Sequence, residues 1–163
     1  MLAFLGALCR ERGLRKEADR AFARFDRLTQ GKADYRRERS LFLVGQGGEL
    51  PGALRLAHAD HAQRQDVFAR DALAWALSAN GRHREAKTAM DRALGLGTRS
   101  AQLFYHAGVI HHRLGERQKA GDYLSRALGL NPHFHPSEAR KARILIQEAG
   151  GRRQEAGGRR RVP

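Results

Sequence analysis

The 163-residue chain is poor in several residue types, and each scarcity excludes a class of protein. Its single cysteine excludes an internal disulfide framework. No uncharged apolar run approaches the roughly 20 residues of a membrane-spanning helix. Only four prolines are present and the glycines are dispersed, which excludes collagen-like and proline-rich chains. The hydrophobic content of 41% is sufficient for a folded core.

Basic residues outnumber acidic ones by 31 to 17, which gives a net charge of +14. The excess is spread along the chain but is largest at the C-terminal end. Clustered arginines there would bind phosphates without sequence specificity and in a salt-dependent way. Nucleic-acid or polyanion binding is therefore an alternative function, and its candidate residues are Arg152, Arg153, Arg159, Arg160 and Arg161.

The N-terminal segment MLAFLGALC is apolar but short, and no basic residue precedes it as in a secretory signal. Its similarity to a lipoprotein box is slight, because the bulky Leu8 stands directly before Cys9. We expect this segment to be the first buried helix of a cytoplasmic protein, with no membrane partner.

The chain repeats itself with a period near 34 residues, which is the spacing of stacked helical hairpins. A turn requires a residue that tolerates positive φ, and a close helix crossing requires a small side chain. The predicted turn residues are Gly13, Gly48, Gly81 and Gly115, and the predicted crossing residues are Ala18, Ala53, Ala86 and Ala120.

These repeats resemble the tetratricopeptide repeat (TPR). The fourth unit fits its pattern best, with Phe104, Ala107, Gly108, His111, Ala120, Leu124, Ala127 and Pro132. The second unit fits least, since Asp60 stands at a position that is usually small. The stretch from Asp66 to Phe134 also resembles a bacterial group of TPR proteins without an assigned activity.

The resemblance implies an all-α, TPR-like superhelical solenoid of about four helical hairpins plus a C-terminal capping helix. We predict the solenoid over residues 1–149. Its units are about 1–33, 34–66, 67–100 and 101–134, followed by a capping helix at 136–149 and a disordered Arg/Gly-rich tail at 150–163.

In TPR proteins the first helix of each hairpin lines a concave groove, and the resemblance therefore implies a peptide-binding site. The corresponding residues are Tyr35, Glu38, Phe42, Phe68, Asp71, Trp75, Gln102, Tyr105, Val109, His112 and Arg113. Tyr35, Trp75 and Tyr105 are the expected anchors, because aromatic side chains supply contact area. The alternative for Phe42 and Phe68 is packing between hairpins.

No motif predicts catalysis. Cys9 lies at a helix-packing position, and no phosphate-binding or nucleophile motif is present. His58 and His61 are spaced i, i+3, but no cysteine or carboxylate pair accompanies them, so we expect neither a metal nor another cofactor.

The sequence thus predicts a non-enzymatic scaffold for a protein or peptide partner, which its basic charge suggests is acidic. Homodimerisation through the solenoid ends stays open. A third hypothesis is that the chain is a fragment of a longer protein whose catalytic domain lies upstream.

Overall fold

A computed structural model describes the backbone of residues 1–158 and the side chains of residues 1–148. This part of the chain contains helices and no strand. The predicted all-α, TPR-like solenoid fold is confirmed. The hairpins are α1 (Leu2–Glu11) with α2 (Arg15–Thr29), α3 (Arg36–Gln46) with α4 (Leu50–Gln63), α5 (Val67–Ala79) with α6 (His83–Leu94), and α7 (Ala101–Arg113) with α8 (Arg117–Leu130). A 3-10 turn, Ala33–Tyr35, precedes α3, and α9 (Pro136–Gly158) ends the described chain.

The helices belong to two compact units. The first, Met1–Arg99, contains three hairpins, and α5 packs against both α3 and α4 within it. The second begins at Ser100 and contains the hairpin of α7 and α8, with α9 packed against α8.

Glycines with positive φ form the turns inside the hairpins. They are Gly13, Gly47, Gly81 and Gly115, at successive spacings of 34 residues. The prediction of Gly48 as the second turn residue is wrong, since Gly47 has the left-handed conformation, with a φ of 66°. The second hairpin has one extra residue between this glycine and its second helix. In the first hairpin, Arg15 N–H donates to the carbonyl oxygen of the turn glycine, Gly13. In the second hairpin, Leu50 N–H donates instead to the carbonyl oxygen of Gly48, one residue after the turn glycine.

Small residues on the first helices allow close crossing inside each hairpin. Gly6, Ser40, Ala74 and Gly108 share the 34-residue spacing and are buried. The predicted crossing alanines of the second helices, from Ala18 to Ala120, are also buried. Ser40 marks the true register of the second repeat, and its hydroxyl donates to the Ala53 carbonyl at 2.8 Å.

Helix α9 covers α8 through small residues, in agreement with the predicted capping role. Ala139 and Ala142 are buried on its inner face. The helix is longer than predicted, because its backbone continues past residue 149 to Gly158. Residues 159–163 lie outside the described residues. No helix in the described part of the chain is both long and apolar enough to span a membrane.

Gly108 tests the packing inside the last hairpin. A Cβ added there would lie 2.6 Å from Leu124 Cγ and 3.2 Å from the Ala120 carbonyl oxygen, so Gly108→Ala should destabilise the fold by about 1–3 kcal/mol. Gly121→Ala is the matched control, because its Cβ would meet nothing within 4 Å and alanine favours helix by about 1 kcal/mol. Urea denaturation followed by circular dichroism measures both. Equal effects of the two substitutions would contradict this packing.

Asp66 tests the start of α5. Its carboxylate accepts hydrogen bonds from the backbone N–H groups of Phe68 and Ala69, both at 2.9 Å. We expect Asp66→Ala to lower the free energy of unfolding by about 1 kcal/mol and Asp66→Asn to retain most of it, because asparagine also caps helices. Urea denaturation of the two variants measures this difference. Equal losses in the free energy of unfolding would contradict a capping role.

Candidate functional site

The extra residue in the second hairpin changes which residues of α3 correspond to groove positions. With Ser40 equivalent to Ala74, Arg37 is equivalent to Asp71, and Leu41 to Trp75. The predictions of Tyr35, Glu38 and Phe42 are therefore all displaced by one residue. The sequence contained the correct signal, since Gly13, Gly47, Gly81 and Gly115 have an unbroken 34-residue spacing.

Phe42 packs between the first two hairpins instead of lining a groove. Its ring centroid lies 4.8 Å from that of Phe25 and 5.5 Å from that of Phe22, and both of these residues belong to α2. The large Phe25, at a position where TPRs usually have a small residue, thus contributes to an aromatic cluster.

Two predicted aromatic residues are exposed near the N-terminal ends of the neighbouring first helices. Phe68, on α5, is 50% exposed, and Tyr35, directly before α3, is 44% exposed. The Arg37 guanidinium lies 5.6 Å from the centre of the Phe68 ring and forms an ion pair with Glu38. Tyr35, Arg37, Glu38 and Phe68, which we call the aromatic–arginine patch, combine apolar area with charge of both signs.

Trp75 and Asp71 lie deeper in α5. Trp75 is 8% exposed and Asp71 is 6% exposed. Both take part in the packing of the first unit, so the expectation that Trp75 is an open anchor does not fit its burial.

Tyr105 and Val109, on α7, are likewise buried in the second unit. The Tyr105 ring lies 5.5 Å from that of Phe134, just before α9. Burial raises the pKa of Tyr105, and the negative charge of Glu138 raises it further, so its hydroxyl is protonated in the folded protein. Gln102 and His112 are partly exposed and Arg113 is exposed, so these three side chains are the accessible ones among the α7 predictions.

Two buried histidines of α7 have acidic neighbours that the sequence analysis did not identify. His106 Nε2 lies 3.9 Å from Glu138 Oε1 on α9, and His111 Nδ1 lies 2.8 Å from Glu116 Oε2. Burial alone would raise the pKa of Glu138, but the adjacent His106 contributes to a net lowering. These pairs connect elements of the second unit and have a structural role.

The predicted polyanion residues cannot be placed in a site. The side chains of Arg152 and Arg153, and the whole of Arg159, Arg160 and Arg161, lie outside the described residues. Within the described part, no group of three or more histidine, cysteine or acidic side chains is arranged to hold a metal ion.

Comparisons with known proteins agree with this architecture. Two crystal structures of MamA have the same fold, with TM-scores of 0.56 and 0.52 and sequence identities of 21% and 18%. They cover 96% and 93% of this chain, which in turn covers 85% and 97% of theirs. A curated relative, the probable biofilm formation methyltransferase WspC of Pseudomonas aeruginosa, is 36% identical over 80 residues, or 47% of this chain. The chain spans about a fifth, 19%, of the length of that relative.

The sequence profile of the tetratricopeptide repeat matches residues 101–134, which contain α7 and α8. The other three hairpins have a turn glycine and a small crossing residue at the positions equivalent to those of this one. Residues 101–134 thus match a tetratricopeptide repeat, and the described chain has a fold of the TPR type.

Proposed function

We propose that the chain is a protein-interaction scaffold and that the aromatic–arginine patch of its first unit is the surface that binds a peptide segment. The observation that carries this proposal is the exposure of Phe68 and Tyr35, at 50% and 44%, near the N-terminal ends of adjacent first helices. An aromatic ring left half in water gains stabilisation when a partner covers it, and such residues are frequent energetic centres of interfaces.

The charges of the patch favour an extended segment that contains both an apolar and an acidic side chain. The apolar side chain would cover the Phe68 ring, and the carboxylate would exchange with Glu38 for the guanidinium of Arg37. The Arg37 side chain is 26% exposed, so a ligand reaches its guanidinium without unfolding the helix. The chain's net charge of +14 favours encounter with an acidic partner.

Methyl transfer is the activity named for the curated relative, but it is not the function that we propose here. The match covers 19% of that relative, and the side chains that we describe in this chain serve packing or lie exposed on repeat helices. We propose that the chain acts by binding and not by catalysis.

The patch is tested by substitution of its two exposed aromatic residues. Peptides selected on the wild-type protein from a display library would be measured by fluorescence anisotropy at about 0.15 M and about 0.5 M salt. We expect Phe68→Ala and Tyr35→Ala each to weaken binding about tenfold, because each removes a contact worth about 1.4 kcal/mol.

Leu28→Ala is the matched control, since Leu28 is 47% exposed but belongs to α2, a second helix. The Leu28→Ala variant should bind the selected peptides with the affinity of the wild-type protein. Deletion of residues 151–163 should also leave binding unchanged at the higher salt concentration. Loss of binding in this deletion alone would instead support the polyanion alternative.

Trp75 requires a stability measurement before any binding measurement. Because it is 8% exposed, Trp75→Ala should lower the free energy of unfolding by about 3–5 kcal/mol, whereas Trp75→Phe should cost less. Circular dichroism during urea denaturation is the appropriate probe, since Trp75 is the only tryptophan of the chain. Unchanged stability of Trp75→Ala together with lost peptide binding would show that Trp75 contacts the partner directly.

A further inference from the structure

The first unit contains a cavity of about 470 Å³ that none of the groove positions lines. Residues of α4, α5 and α6 surround it, so three helices of two consecutive hairpins contribute to one site. A volume of this size lies within the range of small-molecule sites. The residues that determine its chemistry are His58, His61, Arg70, Leu73, Leu77 and Arg92.

The polar side of this cavity consists of nitrogen-bearing side chains from all three helices. His58 and His61 are three residues apart on α4 and therefore share a face of that helix. Arg70 comes from the first turns of α5, and Arg92 from the end of α6. The two arginines place two positive charges beside two imidazoles, which excludes a metal cation and favours an anion.

Several of these donors have unused hydrogen-bonding capacity. Arg70 Nε and His61 Nδ1 are buried, and neither has a hydrogen-bond partner in the described structure. One terminal nitrogen of Arg70 donates to the Arg92 carbonyl oxygen at 3.4 Å, which orients the guanidinium. Within the described residues, neither Arg70 nor Arg92 forms an ion pair with a carboxylate, so both charges remain available to a ligand.

One acidic side chain, Glu85, also lines the cavity, but it already has a cationic partner. Arg82 donates two hydrogen bonds to its carboxylate, at 2.7 Å and 2.5 Å. Hydrogen bonding from Arg82 lowers the pKa of Glu85, and the charge of His58 lowers it further. Glu85 is thus an ionised carboxylate neutralised from outside the cavity, and it does not cancel the charges of Arg70 and Arg92.

The opposite side of the cavity is apolar. Leu73 and Leu77, one turn apart on α5, line it together with Ala89 of α6. An inorganic anion would leave this surface without a partner. A ligand that joins an anionic group to an apolar group would use both sides of the cavity.

We propose that this cavity binds a phosphate monoester with an apolar organic group. Two guanidiniums and two imidazoles offer more donors than the two oxygens of a carboxylate can accept, whereas the three terminal oxygens of a phosphate monoester match them. The phosphate contacts Arg70, Arg92 and His61, and the organic group packs on Leu73 and Leu77. This site is separate from the aromatic–arginine patch and does not depend on it.

The test is an isothermal titration of the full chain with phenyl phosphate, inorganic phosphate and benzoate. We expect saturable one-to-one binding of phenyl phosphate, with an affinity at least about tenfold above that of the other two. If inorganic phosphate binds with the same affinity as phenyl phosphate, the proposed apolar contact is wrong. If benzoate binds with the same affinity, the proposed preference for phosphate over carboxylate is wrong. Absence of phenyl phosphate binding would overturn the proposal.

Substitutions locate the site. Arg70→Gln and Arg92→Gln should each weaken phenyl phosphate binding about tenfold or more, because each removes a charge-assisted donor. Arg84→Gln removes the same charge from an exposed position of α6 outside the cavity and should change the affinity less than about twofold. Equal losses in all three variants would show attraction by overall charge and would overturn the site.

Circular dichroism would show whether Arg92→Gln folds. If it does not, Arg92→Lys, which keeps the positive charge, replaces it in the binding measurement. It should still weaken binding severalfold, because lysine lacks the guanidinium geometry. Wild-type affinity in Arg92→Lys would overturn a specific contact by the guanidinium.

Discussion

The close crossing of the two helices in each hairpin is the constraint on which the rest of the structure depends. It requires a small residue on the first helix, and the partner on the second helix adjusts to the space that remains. A Cβ at Gly6 would lie 2.3 Å from the Phe22 ring, and one at Gly108 would lie 2.6 Å from Leu124. Glycine thus permits a large side chain opposite. In the second hairpin Ser40 is larger, and the residue equivalent to Phe22 is the small Ala57. Interior packing of this kind leaves little room for variation.

The surface chemistry follows from this arrangement. Because the crossing positions use one side of each first helix, the residues on its other faces meet the neighbouring hairpin or water. Phe68 lies at such a position on α5 and remains half exposed, whereas Trp75, farther along the same helix, is buried. Two aromatic residues of one helix therefore differ in environment: Phe68 remains accessible, and Trp75 contributes to the packing of the unit.

The sequence predicted the helices well because their signals are local. Three of the four predicted turn glycines have the left-handed conformation, and each of the four predicted units contains one helical hairpin. The register of the second repeat failed because one residue after Gly47 shifts α4 but leaves α3 in place. The burial of Tyr105 was not predictable, since it depends on Phe134 in a connection that has no repeat signal. The cavity of the first unit was missed because its donors belong to three helices, and only His58 and His61 are close in sequence.

The extra residue beside Gly47 also shows where a repeat chain accepts a change of length. A residue inserted within a helix would rotate every following side chain by about 100°, and so would move the buried face into water. A residue inserted in the turn rotates nothing, because glycine's conformational freedom absorbs it before α4 begins at Leu50. Insertions and deletions in proteins of this kind should therefore accumulate at the glycine turns. Longer segments that add new binding loops could enter there without disturbing the helix crossings on either side.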